Sequence, residues 1–188
     1  MKIKLFIVLV VSSLLIITGS GIAYSITVDV YSGHGTADGG APYSDFVGSF
    51  VSPDIMFATN TGYAWHPFGL SDFGAEMTGC LLVSADALYT FALDSDDGSM
   101  LYINSTLVVD NGGPHSPRII AGSAYLIAGL YPFKVEFYED FGGPSGVDLL
   151  LPMGVSYAPC PVPEPSVIIL LFSVLIGLVG IERKFRSQ

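Results

Sequence analysis

The chain has 188 residues and a formal net charge of −10, which is enough for one domain of ordinary size once targeting segments are set aside. Much of its apolar character sits at the two ends, in residues 5–17 and 167–181, while residues 26–163 hold 15 acidic side chains against Arg118 and Lys134 alone. So acidic a middle excludes nucleic acid and anionic lipid surfaces as its partners.

Residues 1–25 have the tripartite form of a secretory signal: Lys2 and Lys4, an apolar run of about a dozen residues, and the small-residue stretch Thr18-Gly19-Ser20-Gly21-Ile22-Ala23. Signal peptidase would cut after Ala23 or after Ser25; the alternative is an uncleaved anchor helix. Either way the basic start stays in the cytoplasm and the following chain is exported.

Residues 26–158 read as one all-β sandwich domain. Hydrophobic periodicity is close to two, Gly, Pro, Asn and Asp punctuate it every 8–12 residues or so, and no amphipathic helix interrupts it. Tyr89, Phe91 and Leu93 alternate with Leu88, Thr90 and Ala92, and Asp94-Ser95-Asp96-Asp97-Gly98 is expected to turn the chain back into Met100–Ile103. A second reversal at Asn104-Ser105-Thr106 leads into Leu107–Val109, so the three segments are expected to form a meander. The same Asn-Ser-Thr triplet fits a glycosylation pattern, but the turn is the favoured reading. Tyr125–Ile127 turns through Ala128-Gly129-Leu130 into Phe133–Tyr138, whose apolar and polar residues alternate. The last expected strand, Val147–Leu151, should pair back near the beginning of the domain.

In ordered succession, Gly79-Cys80-Leu81-Leu82-Val83, Tyr89-Thr90-Phe91, Ser95-Asp96-Asp97-Gly98-Ser99-Met100-Leu101-Tyr102-Ile103, Val108-Val109-Asp110-Asn111-Gly112, His115, Ala128–Pro132 and Val135–Glu139 resemble a PA14 domain. Pro53–Phe57 and Trp65-His66-Pro67 resemble that family's entry strands. The resemblance implies a β-sandwich of a kind found in adhesins, glycosidases, toxins and slime proteins, several of which bind carbohydrate. In sugar-binding members an equivalent Asp-Asp pair, joined by a cis peptide, holds a calcium ion that ligates sugar hydroxyls.

Asp96 and Asp97 are therefore the candidate calcium ligands. Two adjacent carboxylates on a tight loop repel unless solvated or neutralised, and a hard divalent ion with oxygen ligands neutralises them. The alternative is a plain acidic hairpin turn, since Asp-Gly needs no metal to turn a chain. An EF-hand is excluded, because counting from Asp94 puts Gly98 fifth and Ser105 twelfth, where carboxylates are required. Asp110 and Asn111 are candidate neighbours of the ion, and Glu139 and Asp140 open a late loop, Phe141–Gly146. Adhesin relatives place a liganding Asn in such a loop, and this chain has none there. Of the histidines, His115 reads as a loop hydrogen-bonder, His66 as packing against the sandwich edge, and His34 as lacking neighbours that would make a metal site. Trp65 reads as core rather than as a sugar-stacking platform.

Cys80 and Cys160 are too few for a disulfide framework and lack the spacing of a zinc site. In an oxidising periplasm they can form one bridge between the domain and the segment that follows, or remain two thiols. Residues 159–188 then change character. The prolines of Pro159–Pro165 exclude helix and central strand, an apolar stretch of about 16 residues, some 24 Å as a helix, follows Ser166, and Arg183, Lys184 and Arg186 place the C-terminus in the cytoplasm. Pro163-Glu164-Pro165, apolar helix and basic end are similar to the PEP-CTERM sorting signal of Gram-negative bacteria. That similarity implies processing by an exosortase and an association with exopolysaccharide or biofilm, with the protein anchored at the inner membrane through the C-terminal helix before processing, then at the cell surface or in the extracellular matrix. A permanent single-span anchor is the alternative.

The sequence thus points to a non-catalytic surface or matrix module for a glycan or exopolysaccharide, with calcium as its cofactor. A purely structural coat or biofilm protein is the runner-up. A glycoside hydrolase is a weaker third: carboxylates abound, but a PA14 domain ordinarily accompanies a separate catalytic domain, and the chain holds no nucleophile elbow, Cys/His pair or phosphate loop.

Overall fold

The alternation of apolar residues appears as two antiparallel sheets facing one another across a shared core. The computed structural model describes residues 25–38, 44–57, 65–140 and 145–161. The expected signal helix and C-terminal membrane helix fall outside the described residues, among which no helix is long and apolar enough to cross a membrane.

In chain order the strands are β1 (Ile26–Tyr31), β2 (Phe46–Ser52), β3 (Met56–Phe57), β4 (Phe73–Val83), β5 (Ala87–Asp96), β6 (Ser99–Ile103), β7 (Thr106–Asn111), β8 (Arg118–Leu126), β9 (Gly129–Glu139), β10 (Gly146–Leu150) and β11 (Val155–Ala158). A short 3-10 turn, Gly35–Asp38, lies in the connection after β1. The larger sheet runs β2-β1-β4-β9-β6-β7, with β11 beside the second half of β4; the smaller runs β3-β10-β5-β8.

Inward rows from the two sheets meet in the middle. Phe91 and Leu93 of β5 and Val147 and Leu149 of β10 face Met77 and Leu81 of β4, Leu101 of β6 and Val135 and Phe137 of β9, all buried. Each such side chain contributes roughly 1.5–3 kcal/mol by leaving water. On one flank the edges β7 and β8 press together, because position 122 is glycine: a Cβ there would collide with the carbonyl of Val108. Trp65 joins this core, stacked on Phe57 at 4.2 Å and edge-on to Phe73, as its reading as core required.

Three expectations about connectivity need correcting. Asp94 and Asp96 are not turn residues; β5 runs through them, with Asp94 opposite both Ile119 and Asp148. The reversal at Asp97-Gly98 does not close a hairpin, since it carries the chain from the smaller sheet into β6 of the larger one. The turn at Ala128 crosses between sheets in the same way, from β8 to β9. Alternation reports which face of a strand is buried and is silent about which strand lies beside it. Of the three expected reversals, the one at Asn104-Ser105 is a hairpin within one sheet, and both residues have the positive φ, 50° and 64°, that such two-residue turns demand. The last expected strand, β10, does pair with β3 of the early segment Pro53–Phe57, and also with β5, and the chain adds β11 before the proline-rich segment.

Cys80 and Cys160 are joined in a disulfide with Cα atoms 5.2 Å apart. The bridge pins the segment after β11 to the β4 strand that β11 pairs with.

Candidate functional site

At the end of the sandwich where β5 finishes, the peptide between Asp96 and Asp97 is cis. Asp97 is buried, and its carboxylate is aimed by the backbone: the His115 N–H donates to Oδ1 at 2.8 Å and the Asp140 N–H donates to Oδ2 at 3.1 Å. Two donors 43 and 18 residues away in sequence therefore fix one side chain. Glycine at 98 permits the fit, because a Cβ there would run into the Tyr138 ring and stand 3.0 Å from the carbonyl oxygens of Ala37 and Gly113.

A third carboxylate arrives from β9. Successive strand residues point to opposite faces, so Glu139 continues the inward row Phe133, Val135, Phe137 and reaches the sandwich mouth 2% exposed. One carboxylate oxygen from each of Asp96, Asp97 and Glu139 lies within 4.8 Å of the others. Burial pushes the Asp96 carboxyl above its ordinary range, the neighbouring Asp97 adds to the rise, and His115 opposes it. The cluster is built of hard oxygens, crowded and partly withdrawn from water, so its repulsion is relieved by a proton or by a hard divalent ion, and all-oxygen ligation is the donor set a calcium ion takes. Sequence reading placed Glu139 only at the mouth of a loop. The signal that would have found it is a charged residue closing an otherwise apolar inward row.

Asp110 and Asn111 are not brought into this cluster. Asn111 is fully buried beneath it, where Nδ2 donates to Ser95 Oγ at 2.9 Å and to the Arg118 carbonyl at 3.3 Å, and Oδ1 accepts from Arg118 Nε at 2.7 Å. Ser95 and Ser99 share a further hydrogen bond at 2.7 Å. This network ties β5, β6, β7 and β8 together where the chain crosses sheets, so Asn111 braces the loop from below. Asp110 is exposed and accepts the Gly112 N–H at 3.1 Å, making a local turn.

The histidines divide. His115 is a loop hydrogen-bonder, its ring nitrogens each 2.9 Å from a carbonyl oxygen, of Ser116 and of Asn111. His66 is buried edge-on against Phe73 at 4.3 Å, with Nδ1 accepting the Phe68 N–H; burial holds its imidazole below the ordinary pKa. His34 does have neighbours. The structure sets it against Asp72 and Asp140, which sequence distance had hidden.

A profile of the PA14 domain matches residues 32–161. No curated protein matches the chain. Among solved structures it is similar to an anti-sigma factor domain-containing protein from Clostridium clariflavum, with 20% identity and a TM-score of 0.58 over 74% of this chain and 48% of that one. It is also similar to the PA14 sugar-binding domain from an RTX adhesin, at 16% identity and a TM-score of 0.53 over 72% of this chain and 94% of that one. A third is the PA14 domain of the MpAFP antifreeze protein, at 15% and 0.54 over 74% and 90%. At such identities the likeness shows the fold alone, and the chain spans under half of the anti-sigma structure.

Proposed function

The chain belongs to the PA14 domain family, and from that membership we propose that it is an exported, non-catalytic module that holds a surface glycan or exopolysaccharide through a calcium ion ligated by Asp96, Asp97 and Glu139. The observation that carries this reading is the convergence of the three carboxylates at one mouth of the sandwich, with Asp97 held in place by two backbone donors. Among the described residues each Asp97 oxygen takes a single N–H, leaving a lone pair for an ion. Bound calcium would cancel the mutual repulsion of the carboxylates and present open positions to sugar hydroxyls. The RTX adhesin domain of the same fold is a sugar-binding one by description, which supports the ligand class.

Export has support of a different kind. A disulfide between Cys80 and Cys160 persists in an oxidising compartment rather than in the cytosol, in keeping with the signal-like start. On this reading Pro163-Glu164-Pro165 and the apolar and basic residues beyond it are the substrate of an exosortase, and the C-terminal helix is the membrane anchor until then.

The test is a thermal melt of the full chain in calcium and in chelator, beside the Asp96→Ala, Asp97→Ala double variant and the milder Glu139→Gln. Calcium should raise the melting temperature of the parent and of neither variant, and an immobilised-glycan screen should show binding that chelator removes. An unchanged parent melt at saturating calcium sinks the proposal.

A further inference from the structure

We propose that His34, Asp72 and Asp140 form a second metal site, for a zinc-class divalent ion, on the outer side of the same mouth. One ligand atom from each of the three lies within 4.8 Å of the others. They come from three separate connections: His34 follows β1, Asp72 immediately precedes β4, and Asp140 follows β9. The alternation that sends Glu139 inward sends Asp140 outward, continuing the row of Lys134, Glu136 and Tyr138. The His34 ring is stacked on Tyr138, centroids 5.2 Å apart and planes 29° apart, which holds its edge toward the two carboxylates.

Charge and ligand chemistry point to the class of ion. An imidazolium neutralises one carboxylate, and the Nε2 of His34 already contacts Asp72; within the group itself Asp140 then adds a second negative charge. A neutral imidazole with two carboxylates carries two negative charges, which one divalent ion cancels. The nitrogen donor separates this group from the all-oxygen cluster beside it: calcium and magnesium take oxygen, whereas zinc-class ions accept imidazole with carboxylates. Three protein ligands with a solvent-facing fourth position is also a common open zinc arrangement. Ligand atoms around a tetrahedral zinc stand about 3.4 Å apart for bonds of about 2.1 Å, so the direct His34–Asp72 contact must open on binding. Asp72 can do this, its side chain being 59% exposed against 21% for His34.

No other histidine competes for the role. His66 is buried with Nδ1 engaged, and both ring nitrogens of His115 meet carbonyl oxygens. The two candidate sites are adjacent through the chain, since Glu139 serves one and Asp140 the other, and the Asp140 N–H is one of the two donors that aim Asp97. They are nonetheless distinct in donor set and can be tested separately.

The experiment is a titration of the untagged full chain, stripped with chelator and then saturated with calcium, using zinc by calorimetry and cobalt by visible absorption. One equivalent of zinc and a cobalt d–d band of nitrogen-and-oxygen ligation are expected. His34→Gln should remove the band and weaken zinc by more than the roughly 100-fold at which outer-shell losses end; Asp72→Asn should also weaken zinc, with only a small change in the chelator melt, since the His34–Asp72 pair is exposed on the Asp72 side. Zinc affinity unchanged in both variants, or lost only with Asp97→Ala, would overturn the assignment, the latter by placing the ion among Asp96, Asp97 and Glu139. The absence of any zinc or cobalt binding overturns it as well. Apart from zinc entering the Asp96, Asp97 and Glu139 cluster, none of these outcomes bears on whether calcium stabilises the chain, so failure of the zinc site and failure of the calcium reading are told apart by the calcium melt.

Discussion

The two ends of the sandwich use the same material, loops between antiparallel strands, to opposite ends. At one, the backbone satisfies itself through turns. Ser84 N–H donates to the Gly154 carbonyl, Asn104 N–H to that of Pro132, and the Asp86 carboxylate accepts the Ala128 N–H at 2.7 Å. Two tyrosine hydroxyls close onto carbonyls four residues back, Tyr89 to Ala85 and Tyr131 to Ile127. At the other end, backbone N–H groups are spent on aiming a buried carboxylate, and one oxygen from each of Asp96, Asp97 and Glu139 is drawn within 4.8 Å of the others. The first end is a set of closed local solutions; the second gathers like charges, and on the proposed calcium reading stability should respond to conditions at that end and not at the other.

The strongest break comes from the cysteine bridge, which lies toward the self-satisfied end. Cys80→Ser with Cys160→Ser frees a crosslink between residues 80 apart in sequence, and should cost about 3 kcal/mol. Because the bridge is remote from the carboxylates, urea denaturation should show the same loss in calcium and in chelator. Next is Asp97→Ala, whose cost should depend on the ion. In calcium at about a hundred times its dissociation constant the variant forgoes about 2.7 kcal/mol of ligand stabilisation; in chelator the loss should be smaller, since relief of repulsion offsets two lost hydrogen bonds. Asn111→Ala sharpens the line between bracing and ligation. Removing a buried amide that serves Ser95 and Arg118 should cost about 2 kcal/mol equally in both buffers, whereas a loss confined to calcium would make Asn111 a ligand after all.

How much of this was legible in the chain follows the same division. The inward rows of β5 and β9 and the Asn104-Ser105 hairpin came from local patterns, because burial of alternate residues and positive φ at Asn are decided within a few residues. The Asp96-Asp97 pair was visible as adjacent charges. What aims it was not, since the His115 and Asp140 donors belong to loops that only the sheet order brings near. Asn111 was found for the wrong reason: its position close to the pair is real, but its amide is consumed by Arg118 and Ser95. Glu139 and the partners of His34 depend on the pairing of β1, β4 and β9, in which Phe73 lies opposite Glu139 and Tyr31 opposite Gly74. No periodicity encodes such long-range pairing.

The smallest effect lies on the outer face of the smaller sheet and tests whether acidic crowding alone, without an ion, leaves a mark. Asp148 sits directly across from Asp94 in the β10–β5 ladder, and its Oδ1 has no hydrogen-bond partner among the described residues. Burial raises its pKa, Asp94 and Asp54 raise it further, and a hydrogen bond from the backbone of Phe57 works against them. A carboxyl with a folded pKa above its unfolded value favours the fold when protonated, so its contribution is fully present below the unfolded pKa and is lost as the pH rises through the folded one. In chelator, acidification from neutral toward the carboxylate range should therefore raise the melting temperature before global acid denaturation sets in. Asp148→Asn, which removes a like-charge pair facing across two strands, should stabilise by about 0.5 kcal/mol at neutral pH and flatten part of that rise. The remainder belongs to Asp96, raised in the same direction, and calcium should erase it while leaving the Asp148 share intact. A variant whose pH profile overlays the parent would mean that the Asp94–Asp148 pair is already relaxed by solvent, and that crowding matters only where Asp97 is buried.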